Sequence, residues 1–553
     1  MSEAAKIDRP TRWDAAFDAD MTDADFEMLM ARPEITDIDA ASFPNSVSVE
    51  GIVRYDMRVN RYNPGDIVVR EGDYGNSAFL ILEGELVIAR SPGIPADELG
   101  RLQADRQGIM QRITNLLINN SWIPEVRDTE RYTNRASSAG TQNGKQGAFL
   151  QDVPAIMRDQ DTIILNEGTL FGELAAIGRV PRSITIFAEK AATVMEIRWQ
   201  GLRDIMKFDK QWRQTINDRY RQTALDSYLR QIEILNDIND EEFAEVTEKC
   251  LFETFGTFDW NITFKRGNAT EPIIAREGDY PDGLLVIRAG FARVTKQYGN
   301  GKRTLTYLSA GDMYGLDELY KAWKDPDTDS GGLNCTISAL GYVDIIRIPL
   351  TVLEQHVFPN MQSAPATQFS LLDRTVSEDA LLEWAIDKRF MNGTQSMVID
   401  MHKCVRCDDC VRACSATHGG NPRFRREGQI FDQWMVANSC MHCQDPVCMI
   451  GCPTGAIHRS IETGSVLIND DACIGCATCA NSCPYSNIVM VPIRNKKGAS
   501  IIDTAETGQP IIKATKCDLC AGRPGGPACV KACPHGALDR IDFRDFHGEA
   551  FGE

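Results

Sequence analysis

Polar and apolar positions along this chain change their period more than once, and each change predicts a different kind of element. Over residues 1–47, Phe26, Leu29 and Met30 recur at helical spacing among acidic and small residues, which predicts one short amphipathic helix in a capping segment. From Val53 the pattern turns to strict alternation broken by glycines, as in RYNPGDIVVREGDYGNSAFLILEGELVIAR over residues 61–90. Short strands with glycine-bearing turns predict an antiparallel barrel or jelly roll. The motif REGDY occurs at 70–74 and again at 276–280, and Gly72 to Gly84 repeats the twelve-residue spacing of Gly278 to Gly290. Two copies of one β domain follow.

The copies differ in length. Gly72 and Gly172 lie 100 residues apart, Gly278 and Gly315 only 37, so the first copy carries an insertion at about 91–165. It predicts a helix over 96–119 and a polar, glycine- and serine-rich loop over 135–147, the pattern of a lid or an interaction element. Between the copies, residues 212–250 have helical spacing, with Tyr228, Ile232 and Ile234 followed by Phe243 and Val246. Residues 364–390 also read as helical and lead into the cysteine-rich end of the chain.

Composition narrows the setting. A hydrophobic share of 43% and a charged share of 25% are those of a globular protein. The longest apolar run, residues 488–493, is far short of a membrane span, and the first ten residues, MSEAAKIDRP, have no apolar leader segment. The expectation is a cytoplasmic protein with no direct membrane span. Net charge is −19, yet from residue 401 onward sixteen basic residues balance sixteen acidic ones, so the acidity lies upstream. Such a surface disfavours nucleic acid, whose binding rests on phosphate neutralisation.

The chemistry is in the cysteines. Sixteen of the eighteen fall in four groups: Cys404, Cys407, Cys410 and Cys414; Cys440, Cys443, Cys448 and Cys452; Cys473, Cys476, Cys479 and Cys483; and Cys517, Cys520, Cys529 and Cys533. Proline follows the last member in three of them, at Pro453, Pro484 and Pro534. Thiolates two residues apart converge on one iron–sulfur cube, and the fourth, a helical turn on, points to a neighbouring cube. Zinc would need two CxxC halves and no third cysteine, and a disulfide framework would need an exported chain. The pattern therefore predicts four [4Fe–4S] clusters. Cys250 and Cys335 stand apart and read as small buried apolar groups. With every cube supplied with thiolate, the six histidines of this region (His402, His418, His442, His458, His535 and His547) read as neighbours of the clusters, not ligands. Lys403, Arg406, Arg412, Lys516, Arg523 and Lys531 are the bases expected to offset cluster charge.

In the first β copy, FGELAAIGRVPRSITI at 171–186 resembles the phosphate-binding cassette of cyclic-nucleotide-binding domains in its residues and its length. The resemblance implies backbone donors from Gly172 and Leu174, Glu173 on the ribose 2′-hydroxyl, and Arg182 and Ser183 on the cyclic phosphate of cyclic AMP or cyclic GMP. Ser183 suits either phosphate contact or selection of guanine. The same residues also suit a loop that binds nothing, with Arg182 paired to Glu173 or another acid. In the second copy, aligning Thr336 with Thr185 sets Leu333 where Arg182 stands, so this copy reads as a non-binding scaffold. No DNA-reading helix-turn-helix follows either copy, and the tandem arrangement is similar to the regulatory subunit of cyclic-AMP-dependent protein kinase.

The four cysteine groups resemble the four-cluster electron-transfer subunits of molybdopterin oxidoreductases and some hydrogenases. That resemblance implies that the first group interlocks with the fourth and the second with the third. One cluster would use Cys404, Cys407, Cys410 and Cys533; the next Cys414, Cys517, Cys520 and Cys529; a third Cys440, Cys443, Cys448 and Cys483; the last Cys452, Cys473, Cys476 and Cys479. The expected architecture is multidomain: a capping segment at 1–47, β jelly-roll cyclic-nucleotide-binding-like domains at 48–211 and 212–363 with helical linkers, a linker helix at 364–396, and an α+β double bacterial-ferredoxin-like domain at 397–553. No flavin, nicotinamide or molybdopterin site and no catalytic constellation is legible in the sequence. The implied function is a non-catalytic electron-transfer subunit of an oxidoreductase complex. Its partner would be a catalytic subunit of molybdopterin, flavin or hydrogenase type, with the β domains serving regulation or docking. The alternative is a cyclic-nucleotide signalling protein whose clusters sense redox state or oxygen.

Overall fold

The repeat folds twice into the same pair of antiparallel sheets. In the first copy one sheet orders Met57–Tyr62, Ala192–Arg198, Ser77–Glu83 and Leu170–Phe171, and the other Ile67–Val69, Thr185–Phe187, Leu86–Ala89 and Thr162–Leu165. The second copy repeats both orders, with Leu251–Phe255, Val343–Pro349, Gly283–Ala289 and Met313–Tyr314 in one sheet. Ile273–Ala275, Thr336–Ala339, Ala292–Tyr298 and Gly301–Leu308 form the other. The computed structural model describes residues 6–7 (backbone), 11–89, 162–173, 182, 184–212, 214, 225, 228–257, 260–361 and 376–543. Within these spans it leaves out 46, 231, 236–237, 268–269, 300, 326–331, 462, 495–498, 504–508, 522 and 524. The helix expected over 96–119 and the loop over 135–147 lie outside the described residues, as do Leu174 and Ser183.

The apolar run FLIL of the first copy is continuous because its strand is covered on both faces. Ala78, Leu80 and Leu82 pack with the helices Val49–Asp56 and Trp199–Phe208, while Phe79 and Ile81 face the other sheet. Leu284 and Val286, against Leu285 and Ile287, divide in the same way in the second copy. Period two sorts the two cores. Gly84 and Gly290 close the equivalent turns at φ 86° and 88°, where an added Cβ would stand 2.7 Å from the Ala191 carbonyl oxygen and 2.0 Å from that of Tyr342. Only glycine fits there.

Val53 belongs to a helix, not to the first strand. Val49, Ile52, Val53 and Asp56 recur at 3.6-residue spacing and are all buried, with Ser48 Oγ capping the Gly51 N–H at 3.1 Å. The helix expected near Phe26 spans Asp23–Met30, capped by Thr22. Between the copies the helix is Asp240–Lys249, begun by a capping box of Asn239 and Glu242. The helix ahead of the cysteine module is Val376–Asp387, and Ile386 packs with Phe291 and Leu340.

Two compact units divide the chain out of sequence order: residues 1–217 with 395–541, and residues 218–394 with 542–553. The first unit thus joins the first β copy to the cysteine module. In that module Arg425–Phe431, Trp434–Asn438, Ser396–Asp400 and Leu538–Ile541 form an antiparallel sheet, flanked by the small hairpins Ile457–Arg459/Val466–Ile468 and Val489–Pro492/Ile512–Thr515. Lys6–Ile7 adds a parallel partner to Ile502–Asp503. Among the described residues no helix is long and apolar enough to cross a membrane.

A buried ion network ties this unit together. Asp56, fully buried, accepts from Arg12 at 2.8 Å and from Arg198 at 2.6 Å, and Arg12 also reaches Asp204 at 2.6 Å. Arg198 Nη1 donates to the Thr454 carbonyl of the cysteine module at 3.3 Å. Removing the shared acid strips Arg198 of its carboxylate and leaves Arg12 with Asp204 alone. Asp56→Ala should therefore cost about 3–5 kcal/mol in chemical unfolding, and a loss under about 1 kcal/mol would contradict this account.

Candidate metal centre and anion site

The cysteine loops converge through left-handed backbone. Arg406 and Asp408 sit at φ 61° and 63°, Ala477 at 61°, and Leu519 and Cys520 at 56° and 55°, each between or beside cysteines of one group. Short helices then carry the outlying cysteines: Asp409–Thr417 holds Cys410 and Cys414, Thr478–Ser482 holds Cys479 ahead of Cys483, and Ala528–Lys531 holds Cys529 ahead of Cys533.

The structure brings sequence-distant sulfurs together. Cys404, Cys407, Cys410 and Cys533 line one cavity. Burial pushes the Cys414 thiol up to about 12, reinforced by charge at Cys517, Cys529 and Cys520. Cys443 is raised well above the usual thiol range by burial and by Cys440, Cys448 and Cys483. Cys479, pushed up to about 12 by burial, has Cys452, Cys473 and Cys476 as neighbours. Four thiolates so placed repel one another in a poorly solvated interior, and a cationic iron core relieves that repulsion while releasing protons.

The surroundings fit such a core. Backbone N–H groups of Arg423, Asn487, Ala528 and Ala537 donate to the sulfurs of Cys414, Cys483, Cys520 and Cys533 at 3.2 to 3.5 Å. Donors of this kind stabilise charge on cluster sulfurs and raise the potential. When bound, a cluster of this type exchanges one electron at a time.

Cations lie between the groups. Half-buried Arg540 donates to Cys517 Sγ at 3.1 Å and to the Cys440 carbonyl at 3.3 Å, bridging two of the sulfur sets. Lys516, which is buried, donates to the carbonyls of Val466 and Cys517. The fully buried His442 accepts the Val466 N–H at Nδ1 (3.1 Å). Burial, with Lys516, Arg540 and Arg459 close by, holds its pKa well below the ordinary value, so the ring is neutral.

The nucleotide cassette of the first copy has a different chemistry. Arg182 is 8% exposed and its guanidinium donates to the carbonyls of Gly172 (2.6 Å) and Ser77 (2.9 Å), packed over Phe79. No acid forms an ion pair with it among the described residues, so the alternative of an Arg182–Glu173 pair is not what the structure holds. Burial draws its pKa down to about 10, opposed by the more distant Glu196, Glu173 and Asp73. It therefore remains a buried cation at neutral pH. Glu173 is buried beside it, at the start of the cassette.

The second copy aligns with the first bond for bond. The N–H of Gly72 donates to the Arg182 carbonyl (2.6 Å) as that of Gly278 does to Leu333 (2.8 Å), and Arg182 returns a bond to Asp73 as Leu333 does to Asp279. Thr185 and Thr336 accept from the N–H groups of Glu71 and Glu277 in the same way. Leu333 thus occupies the arginine's place. Asn334 is engaged with Glu318 at 2.9 Å, and the Cys335 backbone is bonded to the Tyr314 hydroxyl.

Comparison with known proteins bears on the cysteine module and, among the β domains, on the second copy. A 4Fe-4S dicluster domain model matches residues 431–542 and a cyclic nucleotide-binding domain model matches residues 269–358. The electron transport protein HydN of Escherichia coli (strain K12) is 34% identical over 160 residues, covering 26% of this chain and 87% of that protein. Through its cysteine module the chain belongs to the HydN-type electron-transport proteins. Formate hydrogenlyase subunit 2 of the same organism is 31% identical over 171 residues, 27% of this chain and 82% of that protein. A solved regulatory domain of Toxoplasma gondii PKA with cAMP shares 15% identity over 61% of this chain and 94% of its own, at a TM-score of 0.20.

Within this HydN-type module, nearness in sequence found Lys516 among the charge-balancing bases but missed Arg459 and Arg540. Lys403 and Arg412 are 55% and 67% exposed and pair with local acids, Asp400 and Asp409. Arg523 donates to Thr417 Oγ1. Arg459 and Arg540, which do reach the cysteine loops, lie on strands whose pairing alone turns them inward. The signal for them was a basic residue among apolar strand positions. Cys335 is buried, and burial raises the Cys250 thiol to about 12, as inert thiols require.

The Arg182 guanidinium lies over Gly75, where an added Cβ would stand 2.2 Å from its Cζ. Gly75→Ala should expel it and destabilise the first β copy by about 1–3 kcal/mol, seen as a lower thermal midpoint. An unchanged midpoint would mean that the guanidinium is not seated there.

Proposed function

We propose that this chain is the electron-transfer subunit of a cytoplasmic oxidoreductase complex, carrying electrons through four [4Fe–4S] clusters. The single observation that supports it most is the convergence of sixteen sulfurs into four sets of four from segments far apart in sequence. The ligand sets are Cys404, Cys407, Cys410 and Cys533; Cys414, Cys517, Cys520 and Cys529; Cys440, Cys443, Cys448 and Cys483; and Cys452, Cys473, Cys476 and Cys479. Neighbouring sets share a helix or a bridging arginine, which favours a wire over isolated structural clusters. A wire needs a catalytic terminus, supplied by a partner subunit of molybdopterin, flavin or hydrogenase type. The HydN-type likeness supports the wire, and the name of formate hydrogenlyase subunit 2 supports a place in such a complex.

In this reading jelly-roll cyclic-nucleotide-binding-like domains occupy 48–211 and 212–363 and the ferredoxin-like domain 397–553. The first binds cyclic AMP or cyclic GMP through Gly172, Glu173, Leu174, Arg182 and Ser183. The buried guanidinium of Arg182, hydrogen-bonded to carbonyls and paired directly with no acid among the described residues, supports an anionic ligand. The second reading, a nucleotide-signalling protein with redox-sensing clusters, draws support from the first β copy and the cysteine module sharing one compact unit.

Purification without air should yield about sixteen irons and as many sulfides per chain, with a redox-enzyme subunit co-purifying at native abundance. Cys483→Ser should remove about four irons. Zinc in place of iron, or colourless protein, would overturn the wire, and native material without any redox partner would favour the second reading. Arg182→Ala should weaken cyclic-nucleotide binding roughly 10- to 100-fold in calorimetry, the worth of a charged hydrogen bond. Equal binding by the variant would remove the first cassette as the site.

A further inference from the structure

Residues 72–77 of the first β copy are bonded on both sides. On one side the Gly72 N–H and the Asp73 carbonyl hold the backbone of Arg182 at 2.6 and 2.7 Å, and the Ser77 carbonyl accepts its guanidinium at 2.9 Å. On the other side the segment meets the cysteine module. The Tyr74 N–H donates to the Ile461 carbonyl (3.4 Å) and Asn76 Nδ2 to the Arg459 carbonyl (3.2 Å). The Arg459 guanidinium lies 4.6 Å from the centroid of the Tyr74 ring. A Cβ on Gly464 would come within 2.5 Å of that ring, so the fit is close.

Arg459 is 3% exposed, and its guanidinium donates to the carbonyls of Cys443 and Gln444, both at 2.9 Å, and to that of Gly464 at 2.7 Å. It therefore fixes the loop that carries Cys443. The second β copy has the same REGDY motif without this arrangement: Leu333 replaces Arg182, and Tyr280 is 71% exposed.

We infer that Arg459 is a positioning residue for the cluster held by Cys440, Cys443, Cys448 and Cys483, and that Tyr74 links it to the cassette, so that an anion taken by Arg182 changes that one cluster's reduction potential. The inference rests on the cysteine and cassette assignments proposed above. An anion competes for the guanidinium N–H groups now given to Gly172 and Ser77, and so loosens one side of residues 72–77. The other side carries the shift through Tyr74 to Arg459 and the carbonyl dipoles beside Cys443. Cluster potential is set by such dipoles and hydrogen bonds. The redox step is a one-electron exchange with a mediator, in which no bond forms or breaks. By reciprocity the nucleotide must bind the oxidised and reduced protein with different affinity, a tenfold difference corresponding to about 59 mV.

The test is an anaerobic redox titration of the full chain, followed by electron paramagnetic resonance, with and without cyclic AMP or cyclic GMP. Nucleotide should shift one cluster signal and leave the others in place; Tyr74→Ala should abolish the shift and Tyr280→Ala should not. Arg459→Gln should move the same signal without nucleotide, with Arg459→Lys moving it less, at unchanged iron and sulfide content. Nucleotide binding, measured by calorimetry, without any shift overturns the coupling while leaving the cassette assignment intact. If neither nucleotide binds, the cassette assignment fails and with it the ligand half of this inference. Arg459→Gln and Tyr74→Ala then decide the other half, which is overturned if neither moves a signal.

Discussion

Gathering sixteen thiols into one module, ten of them buried, is an electrostatic problem before it is a redox device. Burial first, with repulsion from neighbouring sulfurs, lifts Cys414 and Cys479 to about 12. Without iron the module would hold its thiols protonated; with iron it needs cations to balance the cluster charge. Arg459 and Lys516 answer that need from buried positions and Arg540 from a half-buried one; their hydrogen-bond partners include carbonyls and, for Arg540, also a hydroxyl and a cysteine sulfur. A buried cation is costly by itself. Anionic clusters at its side make it stable, so cluster and cations depend on each other.

Arg182 repeats this arrangement on a smaller scale. It too is a guanidinium held by carbonyls, here buried in the first β copy. The second copy shows the other solution, in which Leu333 fills the place with apolar bulk and no charge remains to be met. The two copies are thus alike in backbone and opposite in electrostatics.

Several side-chain contacts of one kind join the first β copy to the cysteine module. Arg198 and Arg203 reach carbonyls of Thr454 and Ile450, and Asn76 reaches that of Arg459. Ile450 lies between the last two cysteines of the second group, and Thr454 and Arg459 in the connection from it to the third. The β copy therefore grips the module where cluster-bearing loops meet.

Much was legible in the residues alone. The cysteine spacings and the REGDY repeat each encode a local geometry, because left-handed turns, single helical turns and period-two alternation are decided within a few residues. The loss of charge at Leu333 was likewise readable by alignment. What the chain could not disclose by itself was which distant residues meet. Arg459 and Arg540 look like ordinary strand residues until pairing turns them toward Cys443 and Cys517. Val53 was read as strand, since its helical neighbours Val49, Ile52 and Asp56 gain meaning only from the sheet they cover. The joining of residues 1–217 to 395–541 across an intervening domain is decided by complementary surfaces. Spacing along the chain fixes short-range conformation; contacts between segments hundreds of residues apart depend on burial and charge that exist only after folding.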